Sequence, residues 1–531
     1  MSIQWNETSN NIPSKQLSLR KQNIIYLFSL VRKSLSIECN QMDGDINRSG
    51  PSSKRRKSNN EDNKQEAVEI AVAVRNAEPL PDIFKLNVDC LEEIFDYLSL
   101  TDLSAVAQTC KKMQKIAGYC FQQSYGAAKG SIEMNDSIFV NTVKVNCFMG
   151  FMQKVSIDDD HLSDEEEVAD SEDIDMLDRI EYNKPQDFIG FLGQFDSLKE
   201  IEIGYVNLTM SRIESMKNIL NKVDCLTIDD CEYEGQLLDS ILASCSNLKY
   251  LCMDGSALIG NDRLQWLHRH YPRLKGIELL PVVKDQVMEL KTFFLLNAGI
   301  QKLAIGDETL WLNRQLITDI ELKLDVLAIE HNKSCNLDLF RQLLNELYER
   351  GFYKRLHYYC PSGLQQEIID KLASMNSLMK LRAKSDSQHF TLSALINLEE
   401  LCISKSCLIS DLKSLPLILN NLKMIHFGEA SSDDILAFIS RAVKVNKIKV
   451  LFLLSGAHFD KFTNILDLSA LNKAREKLAV ASKVTIYVAE TVYLATKWVM
   501  EKTDYSLIEM KRIDSYDWQH EFTSHYYKYD Y

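Results

Sequence analysis

The chain has 531 residues, 45% of them hydrophobic, which is enough for a large core. No run approaches the ~18 apolar residues of a membrane span, and the nearest, 23–31 (NIIYLFSLV), also lacks a small-residue cleavage site, which argues against a secretory signal. Thirteen cysteines with no C-x-x-C pair speak for reduced thiols in an intracellular protein, and against a disulfide framework or a zinc site. The formal charge of −14 is concentrated: residues 158–178 hold 12 acidic side chains and no Lys or Arg, and subtracting those 12 leaves −2. The remainder is nearly neutral, with no basic domain for nucleic acid.

In chain order, residues 1–78 read as mostly disordered, because Asn, Ser, Gln and Lys dominate from Asn40 to Gln65 without a sustained period. Helical patterns cover 17–38 and 66–74. Lys54-Arg55-Arg56-Lys57 are four consecutive cations flanked by serines, a form that a nuclear import receptor reads; a solvated charge run is the alternative. Nuclear or cytoplasmic localisation, or both, is therefore the expectation.

From Leu86 to Ala117 the pattern changes. Val88, Leu91, Ile94, Phe95 and Leu98 fall at helical spacing and form one apolar stripe. Asn87 is placed to cap that helix, and Asp89 sits in its first turn, where the helix dipole favours a carboxylate. Ser99 to Asp102 interrupts it. A second short helix then carries Leu103, Val106 and Ala107. A third, with Thr109 as its expected cap, turns Cys110, Met113, Ile116 and Ala117 inward. Three such short helices cannot bury all this surface alone, so some of it meets a partner or the next domain.

These residues resemble an F-box, the module that docks substrate receptors onto the Skp-type adaptor of cullin–RING ubiquitin ligases. The resemblance rests on Leu86, Asp89, Leu91, Ile94, Phe95, Tyr97-Leu98, the Leu100–Leu103 turn and Val106 to Lys111. Asn87 stands where the family usually has proline, and Met113 where it often has tryptophan. The resemblance implies an adaptor-binding face of Leu86, Val88, Leu91, Ile94, Phe95, Leu98, Leu103 and Val106. The F-box-like domain is expected over 79–125.

Next, Val140 to Val145 (VNTVKV) alternates like a strand and reads as a first repeat. The acidic insert is expected over 156–183, with Ser156, Ser163 and Ser171 each close to carboxylates, as acid-directed kinases prefer. A solvating loop is the simpler reading. From Leu198 a unit L-x-x-L-x-I recurs at Leu198, Val223, Leu248, Leu274, Ile300, Leu324, Tyr353, Leu378, Leu398, Leu422, Ile448 and, more weakly, Ala481. Its period near 25 lies in the leucine-rich-repeat range. Amphipathic helical patterns lie between the units, at 235–244, 337–349 and 432–443. With the F-box before it, the series resembles the leucine-rich repeats of F-box/LRR proteins, although only Cys231 and Asn332 fit the usual Asn or Cys nine residues into the unit.

The expected fold class is α/β: a three-helix F-box followed by a curved solenoid of about 12–13 repeats over 126–500, with a parallel concave sheet and helices on the convex side. Residues 501–531 read as an aromatic tail with Trp518, Phe522 and HYYKYDY from His525. The tail is expected to cap the last repeat or cross the concave face, as in some members of the family.

No Walker loop, G-x-G-x-x-G, H-E-x-x-H or nucleophile elbow is found, which predicts a non-catalytic chain without cofactor or metal. Strand alternation puts the third, fifth and seventh residues of each unit on the concave face. Early units would present Glu200, Glu202, Asp229, Asp254 and Glu278. Middle units would present Arg355, His357, Tyr359, Lys380, Arg382 and Lys384, and late ones Met424, His426, Phe452 and Leu454. Arg355, His357, Tyr359, Lys380, Arg382, Lys384, Phe452 and Leu454 are the expected substrate-binding residues, suited to an acidic or phosphorylated protein. The resemblance implies a substrate-recognition subunit of an SCF-type ubiquitin ligase, reaching cullin and RING subunits through the Skp-type adaptor. The competing expectation is a leucine-rich-repeat scaffold or nuclear adaptor without a ubiquitin-ligase role.

Overall fold

The computed structural model describes residue 83 and residues 86–133, 137–158, 194–204, 209–229, 231, 237–254, 265–280, 287–331, 336–385, 389–454, 465–500 and 505–515. The import-signal residues Lys54 to Lys57, the expected helices at 17–38 and 66–74, Ser163, Ser171, Asn332 and the aromatic tail from 516 lie outside the described residues. The chain divides into two compact units, up to Asp96 and from Tyr97.

The described part of the first unit is built around α1 (Val88–Phe95). Asn87 caps it as expected, its Oδ1 accepting from Cys90 N at 2.8 Å, with Asp89 in the first turn. The second unit begins with α2 (Leu100–Ala107), capped by Ser99, and α3 (Lys111–Tyr125). Thr109 does not cap α3: its hydroxyl donates back to Val106 O, and Cys110 takes the cap position.

An α/β array follows. The repeated L-x-x-L-x-I unit forms a strand because its apolar positions share one face of an extended chain, where a layer of helices covers them. All twelve units read from the sequence are strands: β5 (Glu200–Gly204), β6 (Cys225–Asp229), β7 (Tyr250–Asp254), β8 (Gly276–Leu280), β9 (Lys302–Gly306), β10 (Leu324–Glu330), β11 (Tyr353–Leu364), β12 (Leu378–Ser385), β13 (Glu400–Lys405), β14 (Met424–Ser431), β15 (Lys447–Leu454) and β16 (Val484–Val488). Each pairs in parallel with the next. The expected helices appear at Leu237–Ser244, Leu337–Glu349 and Ser432–Ile439. Parallel strands paired in sequence order, with helices in most of the connections, are consistent with a solenoid; among the described residues the β12–β13 connection holds no helix.

Both ends of the array differ from expectation. Residues 140–145 are not a repeat strand. They close an antiparallel hairpin between β2 (Ser137–Val140) and β3 (Val143–Lys144), with Asn141 and Thr142 at φ 48° and 66° in the turn. The first parallel pair is β1 (Lys129–Glu133) with β4 (Lys154–Asp158), and β4 pairs with β5. Met152-Gln-Lys-Val155-Ser-Ile157 is thus a unit of the series, so Ser156 is a strand residue, 2% exposed, rather than part of the acidic insert. At the other end, β17 (Ile508–Arg512) pairs in parallel with β16, inside the segment read as tail.

Within this unit the two ends of the array meet. The helix Glu490–Val499, β17 and the 3-10 turn Ile513–Ser515 pack against α2, α3 and the β2–β3 hairpin. Leu100 N donates to Glu490 Oε1 at 2.9 Å, and Tyr125 OH donates to the same carboxylate. Arg512, 3% exposed, donates to Leu98 O at 2.9 Å and Ser124 Oγ at 3.0 Å. Asp514 accepts Ala127 N at its backbone oxygen and Asn141 Nδ2 at its carboxylate. Tyr97 stacks edge-on to Trp498.

Candidate functional site

The first surface belongs to the N-terminal helices. Of the eight residues assigned to adaptor docking, Leu91, Phe95, Leu98, Leu103 and Val106 are buried, each at 7% exposure or less. Leu86 and Ile94 are half-buried, and Val88 is 46% exposed. The apolar stripe therefore divides. Leu91 and Phe95 belong to the core, while Val88 and Ile94 retain surface for a partner, beside exposed Asp89 and Cys90.

The second surface is the face of the sheet opposite the core row. Register sets it out in lanes. One lane runs Ser156, Glu202, Thr227, Cys252, Glu278, Ala304, Ala328, His357, Lys380, Glu400, Met424 and Lys447. The next runs Glu330, Tyr359, Arg382, Cys402, His426, Lys449, Tyr487 and Lys511. Glu200, Glu202, Asp229 and Glu278 lie on this face as read from the sequence. The side chain of Asp254 lies outside the described residues. These acids are enclosed rather than solvated: Glu202 is 5% exposed, with both oxygens 2.9 Å from Lys129 Nζ, and Lys154 Nζ lies 3.2 Å from Glu200.

The middle residues are partly brought together. Lys380 stands beside His357 and Arg382 beside Tyr359, with the Arg382 guanidinium 4.9 Å above the Tyr359 ring. Lys380 Nζ is 2.9 Å from Glu400, which His426 Nε2 also approaches, at 3.5 Å. Arg355 is exposed and is not in this group: its partner across the ladder is Val326, and the β11–β12 pairing slips so that Lys380 meets His357 instead. The side chain of Lys384 lies outside the described residues.

The late residues need a correction. Ile448 aligns with Ile425, the fourth position of its unit, so the β15 unit starts at Val445 rather than Ile448. A shift of three reverses strand parity. Phe452 and Leu454, although 45% and 39% exposed, share the side of the strand that carries buried Ile448 and Val450. The open face instead carries Lys447 and Lys449, followed by Lys511 on β17. It passes from acidic to basic and does not end apolar. These lysines were missed because VNKIKVLFLL contains two threadings of the same apolar unit, and only pairing selects one.

Burial shapes the electrostatics of this basic end. The 3-10 turn Ile513–Ser515 packs on β15 and β16 and brings the Asp514 carboxylate toward Lys449. Burial holds the Lys449 ammonium well below the usual lysine range, against that carboxylate. Burial, then the cations Lys449, Lys380 and Arg382, pushes His426 well below the usual imidazole range, so it stays neutral near pH 7. Burial raises Asp514 to about 6. The cations at the surface of this end are exposed Lys447 and half-buried Lys380, and such ammonium groups can take carboxylate or phosphate oxygens through charge-assisted hydrogen bonds. Among the described residues no group of His, Cys, Asp and Glu is arranged to hold a metal ion.

No curated protein matches the chain. Residues 83–120 match the family model of the F-box domain, covering α1, α2 and most of α3. The chain therefore carries an F-box domain at residues 83–120, the module through which such proteins bind Skp-type adaptors.

Proposed function

We propose that the chain is the substrate-recognition subunit of an SCF-type ubiquitin ligase. The F-box holds the Skp-type adaptor, and through it cullin and RING subunits; the repeat array holds the protein to be ubiquitinated. The order of parts carries this reading: an F-box at 83–120 runs into strand–helix repeats with one charged open face. The chain positions, and its partners supply the thioester chemistry. Exposed Lys447 and half-buried Lys380, with Arg382 behind them, would take an acidic or phosphorylated segment of the substrate.

The test uses the intact chain. Purification at near-physiological salt should recover the adaptor and a cullin. Val88→Asp with Ile94→Asp should abolish that recovery; because Ile94 is half-buried, the single change Val88→Asp, at an exposed position, is the arm that weakens recovery with the fold intact. Absence of both proteins from the wild-type preparation refutes the ligase reading. A second reading, a repeat scaffold without adaptor, is favoured by the burial of Leu91, Phe95, Leu98, Leu103 and Val106 within the chain itself. It predicts that the Val88/Ile94 variant loses no partner.

A further inference from the structure

A second cationic feature lies in the loop that leads into β8, away from the open face of the sheet. Residues 265–275 (QWLHRHYPRLK) contain two Arg, two His and one Lys and no acid, in a chain of net charge −14. The loop is held from behind. Trp266 is buried and meets the Phe293 ring edge-on at 5.6 Å. Asn297, 3% exposed, clamps the backbone: its Oδ1 accepts Tyr271 N at 2.7 Å, and its Nδ2 donates to Arg269 O at 3.0 Å. The Tyr271 hydroxyl donates to Trp266 O at 3.3 Å, and Pro272 restricts the next φ.

On this fixed backbone the side chains of Arg269, His270 and Arg273 are exposed, and all three line one cavity of about 140 Å³ with Cys245, Ser246 and Leu248. The Arg273 guanidinium is steered by the preceding repeat: it donates to Asn247 Oδ1, and Asn247 Nδ2 donates to Asn221 O at 2.6 Å. That bond uses one of the five N–H groups of the fork. Asp239 supplies a counter-charge to Arg269.

The volume equals roughly four or five water molecules. It is large enough for a phosphoryl group, with the group that carries the phosphate lying toward the rim. On the preceding loop Lys249 is matched by Asp224 at 2.8 Å. Arg269, His270 and Arg273 form a compact group on one cavity, suited to a single phosphoryl group rather than to the extended track that a nucleic-acid backbone needs. We propose that this cavity docks a phosphorylated side chain of a partner protein, with Arg269 and Arg273 gripping the phosphate oxygens and His270 and Ser246 completing the donors. Guanidinium forks match phosphate geometry, and preorganisation lowers the ordering cost of binding. The site is separate from the open face of the sheet and does not depend on adaptor capture.

The test measures fluorescence anisotropy of the full chain with a labelled glycine-rich peptide bearing one phosphoserine or phosphotyrosine, its unphosphorylated twin, and inorganic phosphate as competitor. A phosphopeptide should bind at least roughly tenfold more tightly than its twin. Arg269→Ala with Arg273→Ala should remove that preference at unchanged melting temperature, with adaptor recovery intact; Arg273→Lys should remove part of it. A Lys380→Ala chain, which weakens the open face, is assayed in parallel: a preference that disappears with Lys380 and survives loss of the Arg269/Arg273 pair overturns the placement at this cavity. Equal affinity for phosphorylated and plain peptide overturns the proposal, as does full retention in the double variant. Inorganic phosphate binding as tightly as the phosphopeptide overturns the assignment to a protein partner.

Discussion

Arg512 offers the most direct test of the seam between the first helices of the second unit and the last repeat. Its guanidinium is 3% exposed, donates to Leu98 O and Ser124 Oγ, lies 3.9 Å from Glu490 and stacks 4.3 Å from the Tyr493 ring centre. Arg512→Ala leaves the Leu98 carbonyl without this donor in a buried place, a cost of ~1–3 kcal/mol. Loss of the second hydrogen bond adds ~1 kcal/mol, and loss of the ring contact adds ~0.5–2 kcal/mol. The sum is about 2.5–6 kcal/mol, a range that contains the cost of removing one partner of a buried charged pair. A long repeat array need not unfold in two states, so a global melting temperature is a poor readout. Hydrogen exchange followed peptide by peptide is better. Protection in 97–128 and 505–515 should fall by about two to four orders of magnitude, while β5 to β9 keep theirs. A fall below tenfold at the seam, or an equal fall in β5 to β9, would falsify the account of Arg512 as the tie.

Other perturbations follow from the same packing. Phe121, 1% exposed and stacked on Phe148 at 4.6 Å, should cost ~3–5 kcal/mol when changed to Ala, read as lost protection in α3. Gly118→Ala should also destabilise, because a Cβ there would meet the Phe151 ring at 2.1 Å; a stability equal to wild type would mean the ring moves aside freely. Asp514 has a folded pKa of about 6 against 3.8, so the protonated form is favoured on folding. Its contribution is full below 3.8 and is lost as pH rises to about 6. Asp514→Asn should therefore raise the exchange protection factors of 505–515 more at pH 7.5 than at pH 4, and an equal change at both would contradict that sign. His426 runs oppositely: its folded pKa lies below 6.5, so its contribution is full above 6.5 and declines as pH falls below that value. His426→Gln should flatten stability between pH 6.5 and 5.

The repeat was legible because its signal is periodic and each copy supports the next. Leu198, Val223 and Leu248 announce one another, and a degenerate copy such as ASKVTI is carried by its neighbours. The misreadings arose where that support lapses. MQKVSI has Met152 in place of Leu and is separated from its successor by the acidic stretch, so β4 went unread. VNTVKV alternates like a strand, yet Asn141 and Thr142 take positive φ, which is unusual for a β-branched Thr. VNKIKVLFLL satisfies two threadings equally, and only hydrogen bonding to β14 decides between them. The meeting of Glu490 with Leu100 and Tyr125 joins residues 390 and 365 positions apart, beyond the reach of any local pattern. In the F-box helices, spacing found the apolar stripe but could not divide it into a buried half and an exposed half.

The slip between β11 and β12 is a dislocation in an otherwise regular stack. Leu356 pairs with Leu378, then His357 pairs with Lys380, so Met379 is skipped. From that line onward the sixth position of one unit, Tyr358, continues as the fourth of the next, Leu381. The row of paired residues nevertheless stays straight, running from Ala328 through His357 to Lys380 and Glu400. An extended ligand lying across the strands would therefore meet one continuous row, whose residues come from the fifth position of β11 and the third of β12. The extra residue Met379 thus changes which side chains a repeat offers without interrupting the surface they form.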